Sequence, residues 1–187
     1  VLSAMRKHSA NADVAKDGCG ALWNLVVNAD NDVALMAAGA GEAVLETMRT
    51  HSADAEVAGY GCKAIANLAF LNTDNQTALM AAGAGDLVLA AMRSHSAVEG
   101  VAKGGLNALN VLANSNSDKA TLMEAGVGEA VLETMRTHSA DAEVAGHGCG
   151  AIANLAEGLW GAVESCGGAD GGWRGRGGAQ RHAKTQR

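Results

Sequence analysis

Residues 48–68 read MRTHSADAEVAGYGCKAIANL. The same phrase begins at Met5 as MRKHSANADVAKDGCGALWNL and at Met135 as MRTHSADAEVAGHGCGAIANL. A looser copy begins at Met92 as MRSHSAVEGVAKGGLNALNVL. The four starts lie 43, 44 and 43 residues apart. A sustained period of this length means stacked supersecondary units, each burying its apolar face against the next. The business expected of such a chain is presenting a surface to a partner.

One unit is best read onward from Asn75. NQTALMAA fits two helical turns, and Gly83 is placed to end them through a left-handed cap. Residues 85–93 follow as an apolar run with Leu87, Val88, Ala91 and Met92 at helical spacing. Residues 94–97 break it, and a longer helix is expected over about 98–113, carrying Val101, Leu106, Leu109, Val111 and Leu112. The unit is a short, a medium and a long helix. Ser52 and Ser139 stand where they can cap the long helix in the second and fourth copies, with Ser9 repeating the idea in the first. Asp54 and Glu56, like Asp141 and Glu143, place negative charge in its first turn, where the helix dipole favours it.

The copies run over about 1–28, 30–71, 74–115 and 117–160, the first and last incomplete. The extra residue behind the 44-residue step falls in the loop around Asn72, where insertions cost little. Val1 falls inside a medium helix, so a piece of a longer protein is expected, with Val1, Leu2 and Met5 on an exposed apolar face. After Trp160 the pattern dissolves. Residues 161–187 read as a Gly-rich basic disordered tail, with seven glycines in the last 21 positions and almost nothing to bury.

Aromatics are only 3% of the chain and proline is absent, so the expected core is one of small side chains and close backbone approach. Residues 1–166 hold nine Lys/Arg against nineteen Asp/Glu, a net charge of −10, and residues 167–187 hold five against one, +4. An acidic repeat body argues against a nucleic-acid backbone as its ligand. The weakest of the alternatives is RNA association through the WRGRGG segment that begins at Trp173. Cys19, Cys62 and Cys149 share one repeat position. Helices pack 8–10 Å apart, beyond disulfide reach, so reduced thiols in a cytosolic or nuclear compartment are expected. No apolar run approaches membrane-spanning length, and no membrane insertion is expected.

No nucleophile–base–acid set, phosphate loop or paired-carboxylate site is present in the sequence, so the expected function is non-catalytic, with neither cofactor nor metal. The Gly-Cys pairs at Gly18, Gly61 and Gly148 fall within the long helix, where glycine costs roughly 1 kcal/mol relative to alanine, and close helix packing is the expected compensation. His8, His51, His95 and His138 recur before a serine at a turn, where hydrogen bonding to local backbone is expected.

The phrases NDVALMAAGAG, NQTALMAAGAG and DKATLMEAGVG, followed by an apolar medium helix and a long helix closing on ALWNL or AIANLA, resemble the armadillo repeat family. The resemblance covers residues 1–160 and implies an all-α, right-handed α-solenoid of about four three-helix repeats. Its third helices would line a concave groove. In karyopherin and catenin relatives the Asn of the closing motif holds the backbone of an extended peptide, which by match implicates Asn24, Asn67 and Asn154. Val111 stands there in the third copy, with Asn110 and Asn107 just before it. Nuclear-import relatives carry a Trp one turn earlier, where this chain has Gly20, Lys63, Asn107 and Gly150. The Pro that usually follows the junction is Gly41, Gly85 or Gly128.

An amide offers donor and acceptor together, matching the N–H and C=O of an extended strand. The expected peptide-binding groove is therefore Asn24, Asn67 and Asn154, completed by Lys63, Asn107 and Tyr60 one or two turns earlier on the same helices. The expected partner is a protein or extended peptide. The competing expectation for the asparagines is that they tie helix ends or neighbouring loops together, and for the chain a spacer whose repeats only support other domains.

Overall fold

The computed structural model describes the backbone of residues 1–26 and 29–166, and the side chains of 1–26 and 31–156. Those residues form eleven helices and, among them, no strand. The first unit supplies α1 (Leu2–Lys7) and α2 (Ala12–Leu25). The second supplies α3 (Ala29–Ala37), α4 (Ala40–Thr50) and α5 (Ala55–Ala69). The third supplies α6 (Thr73–Ala81), α7 (Ala84–Ser94) and α8 (Glu99–Leu112). The fourth supplies α9 (Asn116–Glu124), α10 (Val127–Thr137) and α11 (Ala142–Cys166). No helix among the described residues is long and apolar enough to cross a membrane.

Each boundary has a local cause. Gly39, Gly83 and Gly126 sit at φ 85°, 83° and 84°, the left-handed conformation that turns each short helix into its medium helix. The caps of the long helices correct the serine expectation. Asn11 accepts from Val14 N–H, Asp54 from Glu56 and Val57, and Asp141 from Glu143 and Val144. The chain turns at residues 51–53 and becomes extended only at Asp54, so Ser52 lies too early to reach the first-turn amides. The third unit has Val98 at this position and no side-chain cap.

Medium helices α1, α4, α7 and α10 pack side by side, and so do long helices α2, α5, α8 and α11. Between the rows runs a continuous core that includes Leu22, Leu45, Ile65, Leu89, Leu106 and Leu109. Inside every unit a medium-helix methionine lies on a long-helix glycine. A Cβ on Gly18, Gly61, Gly105 or Gly148 would stand 2.5 Å from Cγ of Met5, Met48, Met92 or Met135. This contact corrects the expectation of an exposed Met5, which is 3% exposed because its slot belongs to its own unit. Val1 is exposed and Leu2 half-buried.

Long helices approach most closely between α5 and α8. A Cβ on Gly104 would come within 3.0 Å of the Gly59 carbonyl oxygen and 3.2 Å of Cys62 Cβ. The extra residue of the 44-residue step lies between α5 and α6, where Leu71 takes a positive φ of 55°. Phe70 and Leu71 are thereby turned outward, at 57% and 87% exposure. The long final helix runs to Cys166 and so takes in the first six residues of the tail expected from 161, and nothing in that stretch is a proline that would stop it. The disorder expected of residues 167–187 lies outside the described residues.

Two sets of side chains tie unit to unit. Arg6, Arg49 and Arg93 donate to the carbonyls of Ala38, Ala82 and Ala125, at 3.0, 2.9 and 2.9 Å. Those carbonyls end the short helix of the following unit, where unpaired oxygens attract a cation. In the other direction, His51, His95 and His138 bond through Nε2 to the carbonyls of Ser9, Ser52 and Ser96, at 2.7, 2.9 and 2.8 Å. The backbone these histidines meet is thus that of the preceding unit.

Candidate functional site

The solvent side of the long-helix row is where the expected groove residues gather. Tyr60, Lys63 and Asn67 are spaced four, three and four residues along α5, on one helical face with Glu56. All three are half-buried, as are Asn107 on α8 and Asn154 on α11, while Asn24 on α2 is exposed. The structure brings these residues onto one row of adjacent helices.

Their amides are partly engaged. Asn67 Nδ2 donates across to the Trp23 carbonyl on α2 at 2.9 Å. Asn154 Nδ2 donates to Asn110 O at 2.8 Å and Oδ1 at 3.2 Å on α8. Asn24 Nδ2 instead bonds Gly20 O, one turn back in its own helix. Asn67 and Asn154 therefore align successive long helices, and among the described residues neither Oδ1 has a donor. Asn67 also keeps one N–H. Val111 supplies no such tie between α8 and α5. There the close glycine contact of Gly59 and Gly104 stands in its place.

The aromatic content of the face is concentrated at one point. Trp23 and Tyr60 rings lie 6.3 Å apart at 50°, and Lys63 Nζ sits 4.9 Å from the first centroid and 5.4 Å from the second. Such a cation over aromatic faces is worth about 0.5–1 kcal/mol at a partly exposed site. Trp23 was not among the expected groove residues. Its signal was available, since it is one of three tryptophans and directly precedes Asn24 in ALWNL.

Toward the N-terminal ends of the long helices the face is acidic and cross-linked. Lys103 meets Glu99 at 2.6 Å, Glu143 at 2.8 Å and Asp141 at 3.1 Å, clasping α8 to α11. These carboxylates push the Lys103 ammonium above its ordinary range, with Glu143 contributing most. Asp141 is held below the usual carboxylate range by the Val144 amide and then by Lys103, and Glu143 is lowered by Lys103 first. At the same repeat position Lys16 lies 3.7 Å from Glu56, linking α2 to α5.

Other chemistry-bearing residues are structural in their placement. Burial pushes the Cys19 and Cys62 thiols up to about 12, which leaves them protonated and unreactive near neutrality. Cys149, at the same repeat position, is exposed. Among the described residues no group of three or more His, Cys, Asp or Glu converges as a metal site would. A cleft in the medium-helix row lies between Met5, Ser9, Glu42 and Glu46, but the guanidiniums beside it, Arg6 and Arg49, are spent on carbonyls.

No family model matches the chain, and no curated protein matches it. In fold it is similar to two crystal structures of engineered proteins from a structural genomics consortium, each at a TM-score of 0.73 and 22% identity over 88% of this chain. The chain spans 66% of the length of one and 40% of the other. The likeness establishes an all-helical, repeat-like fold.

Proposed function

We propose that the chain is an armadillo-type repeat module, a right-handed solenoid whose long helices line a concave groove for an extended peptide or protein segment. It acts by binding, without catalysis. The observation that carries this reading is the central row of Tyr60, Lys63 and Asn67 beside Trp23. In a chain whose helices are mostly Ala, Gly and aliphatic, Trp23 and Tyr60 meet Lys63 and Asn67 on one solvent-facing row. Half-buried aromatic and amide groups of this kind are what hold backbone and anchor side chains in recognition surfaces. The acidic body supports a protein over a nucleic-acid partner, and the unpaired cysteines among the described residues fit a reducing compartment, cytosolic or nuclear.

The Asn67 and Asn154 ties favour a second reading, in which the amides serve the stack alone and the module is a spacer. Selection of a random-peptide library on the immobilised full chain separates the two. The groove reading expects peptides whose binding is lost when Asn24, Asn67 and Asn154 are all replaced by Ala, with helicity retained. Peptides that bind the triple variant unchanged would move the site off the long helices and leave the spacer reading.

A further inference from the structure

Three lysines lie on the long helices. Lys16 and Lys103 are each paired with carboxylates across a helix boundary. Lys63 differs: among the described residues its ammonium has no carboxylate within 4.0 Å and rests instead over the Trp23 and Tyr60 rings. The rings fix the position of the ammonium and shield one side of it from water. A ring face is only a weak hydrogen-bond acceptor, and among the described residues the ammonium makes no hydrogen bond to an oxygen, which leaves N–H donors for a ligand.

We infer that Lys63, with Trp23 and Tyr60 as its walls, is a subsite for an acidic side chain of the bound segment. The inference rests on the groove reading and specifies what that groove takes. It runs against the net charge of the repeat body, which taken alone would call for a basic partner. Of the acids on this face, Glu56, Glu99, Asp141 and Glu143 are already held by Lys16 and Lys103 toward the N-terminal ends of the long helices, and Asp17, at the Tyr60 repeat position on α2, has no ion pair among the described residues. The centre of the row carries the one long-helix lysine not drawn into that network.

A main-chain site stands beside the lysine. Asn67 lies one helical turn from Lys63 on the same face, and its Oδ1 and remaining N–H, unengaged among the described residues, suit a main-chain amide. A segment held by its backbone at Asn67 can place an Asp or Glu on Lys63, with its methylenes against the ring of Tyr60. A bound carboxylate would add a charge-assisted hydrogen bond to an ammonium already positioned.

The test uses the full chain and peptides selected on it. The expected result is enrichment of Asp or Glu at one fixed peptide position. Changing that residue to Asn, or Lys63→Met in the protein, should then weaken binding roughly tenfold, the scale of losing one charged partner. Lys63→Met keeps the stem on the rings, and an unchanged melting temperature shows that folding is intact. The charge swap is the sharper arm: Lys63→Glu should abolish binding of the acidic peptide, and a Lys at the enriched position should restore it. Peptides that need Asn24, Asn67 and Asn154 yet show no acidic preference and bind Lys63→Met unchanged would overturn the subsite and leave the groove standing. Peptides indifferent to both sets of variants would overturn both.

Discussion

Replacing Asn67 by Ala separates the structural from the recognition role of the amides. The substitution removes the 2.9 Å bond from Nδ2 to the Trp23 carbonyl, which links α5 to α2. A half-buried hydrogen bond of this kind contributes about 1 kcal/mol net. Against this, alanine is the better helix former by roughly 0.5 kcal/mol. The net expectation is a loss of about 0.5 kcal/mol by the same two principles. Asn24→Ala is the internal control. Among the described residues its amide bonds only Gly20 O within its own exposed turn, so the propensity gain stands almost alone. The two variants should therefore differ by about 1 kcal/mol, which for a chain of this length is a gap of roughly 2–4 °C in melting temperature. Thermal unfolding followed by circular dichroism reads it directly. Equal melting temperatures, or Asn24→Ala the less stable, would refute the claim that Asn67 ties adjacent helices.

Further expectations follow from neighbouring features of the stack. Val98→Asp supplies the cap that Asn11, Asp54 and Asp141 give the other long helices, and should raise stability by about 1 kcal/mol in denaturant titration. Gly104→Ala should lower it by about 1 kcal/mol, since overpacking against the Gly59 carbonyl outweighs the propensity gain. Gly100→Ala, whose Cβ meets nothing within 4 Å, should raise it by a similar amount. The Lys103 clasp sets a pH window. Asp141 and Glu143 are depressed from 3.8 and 4.5, so their contribution is present above those values and fades as pH falls below them. Lys103 is raised from 10.5, so its contribution is complete below that value and fades as pH rises through its elevated folded pKa. Amide protection factors in the first turns of α11, corrected for the intrinsic exchange rate at each pH, should fall below about pH 4 in the wild type and much less in Lys103→Met.

The repeat phrase made the helix order, the glycine junctions and the place of the extra residue legible, because each is a local matter of spacing and backbone conformation. The caps were harder. Ser52 and Asp54 are both good cap residues two positions apart, and the turn at residues 51–53 decides between them. Met5 was misplaced because an apolar residue close to the first position reads as exposed, whereas its partner is Gly18 of the same unit. What periodicity could not reach at all were contacts between units. Arg6, Arg49 and Arg93 recur as plainly as the histidines, yet their carbonyl partners lie 32 or 33 residues on and exist only once the units stack. The same holds for Trp23, which joins Tyr60 and Lys63 across a helix boundary. Shared face was readable from spacing along one helix; neighbourhood across helices depends on packing distance.

The claim that the long-helix row is the binding surface is tested most directly by locating a bound segment. The full chain, labelled with 15N, is titrated with a peptide selected on it, and side-chain amide and backbone resonances are followed. The expected result is saturable shifts in the side-chain amides of Asn24, Asn67, Asn107 and Asn154, with the backbone of Tyr60 and Lys63, while α4, α7 and α10 stay unmoved. Shifts confined to the medium helices, with the asparagine amides unchanged, would contradict it.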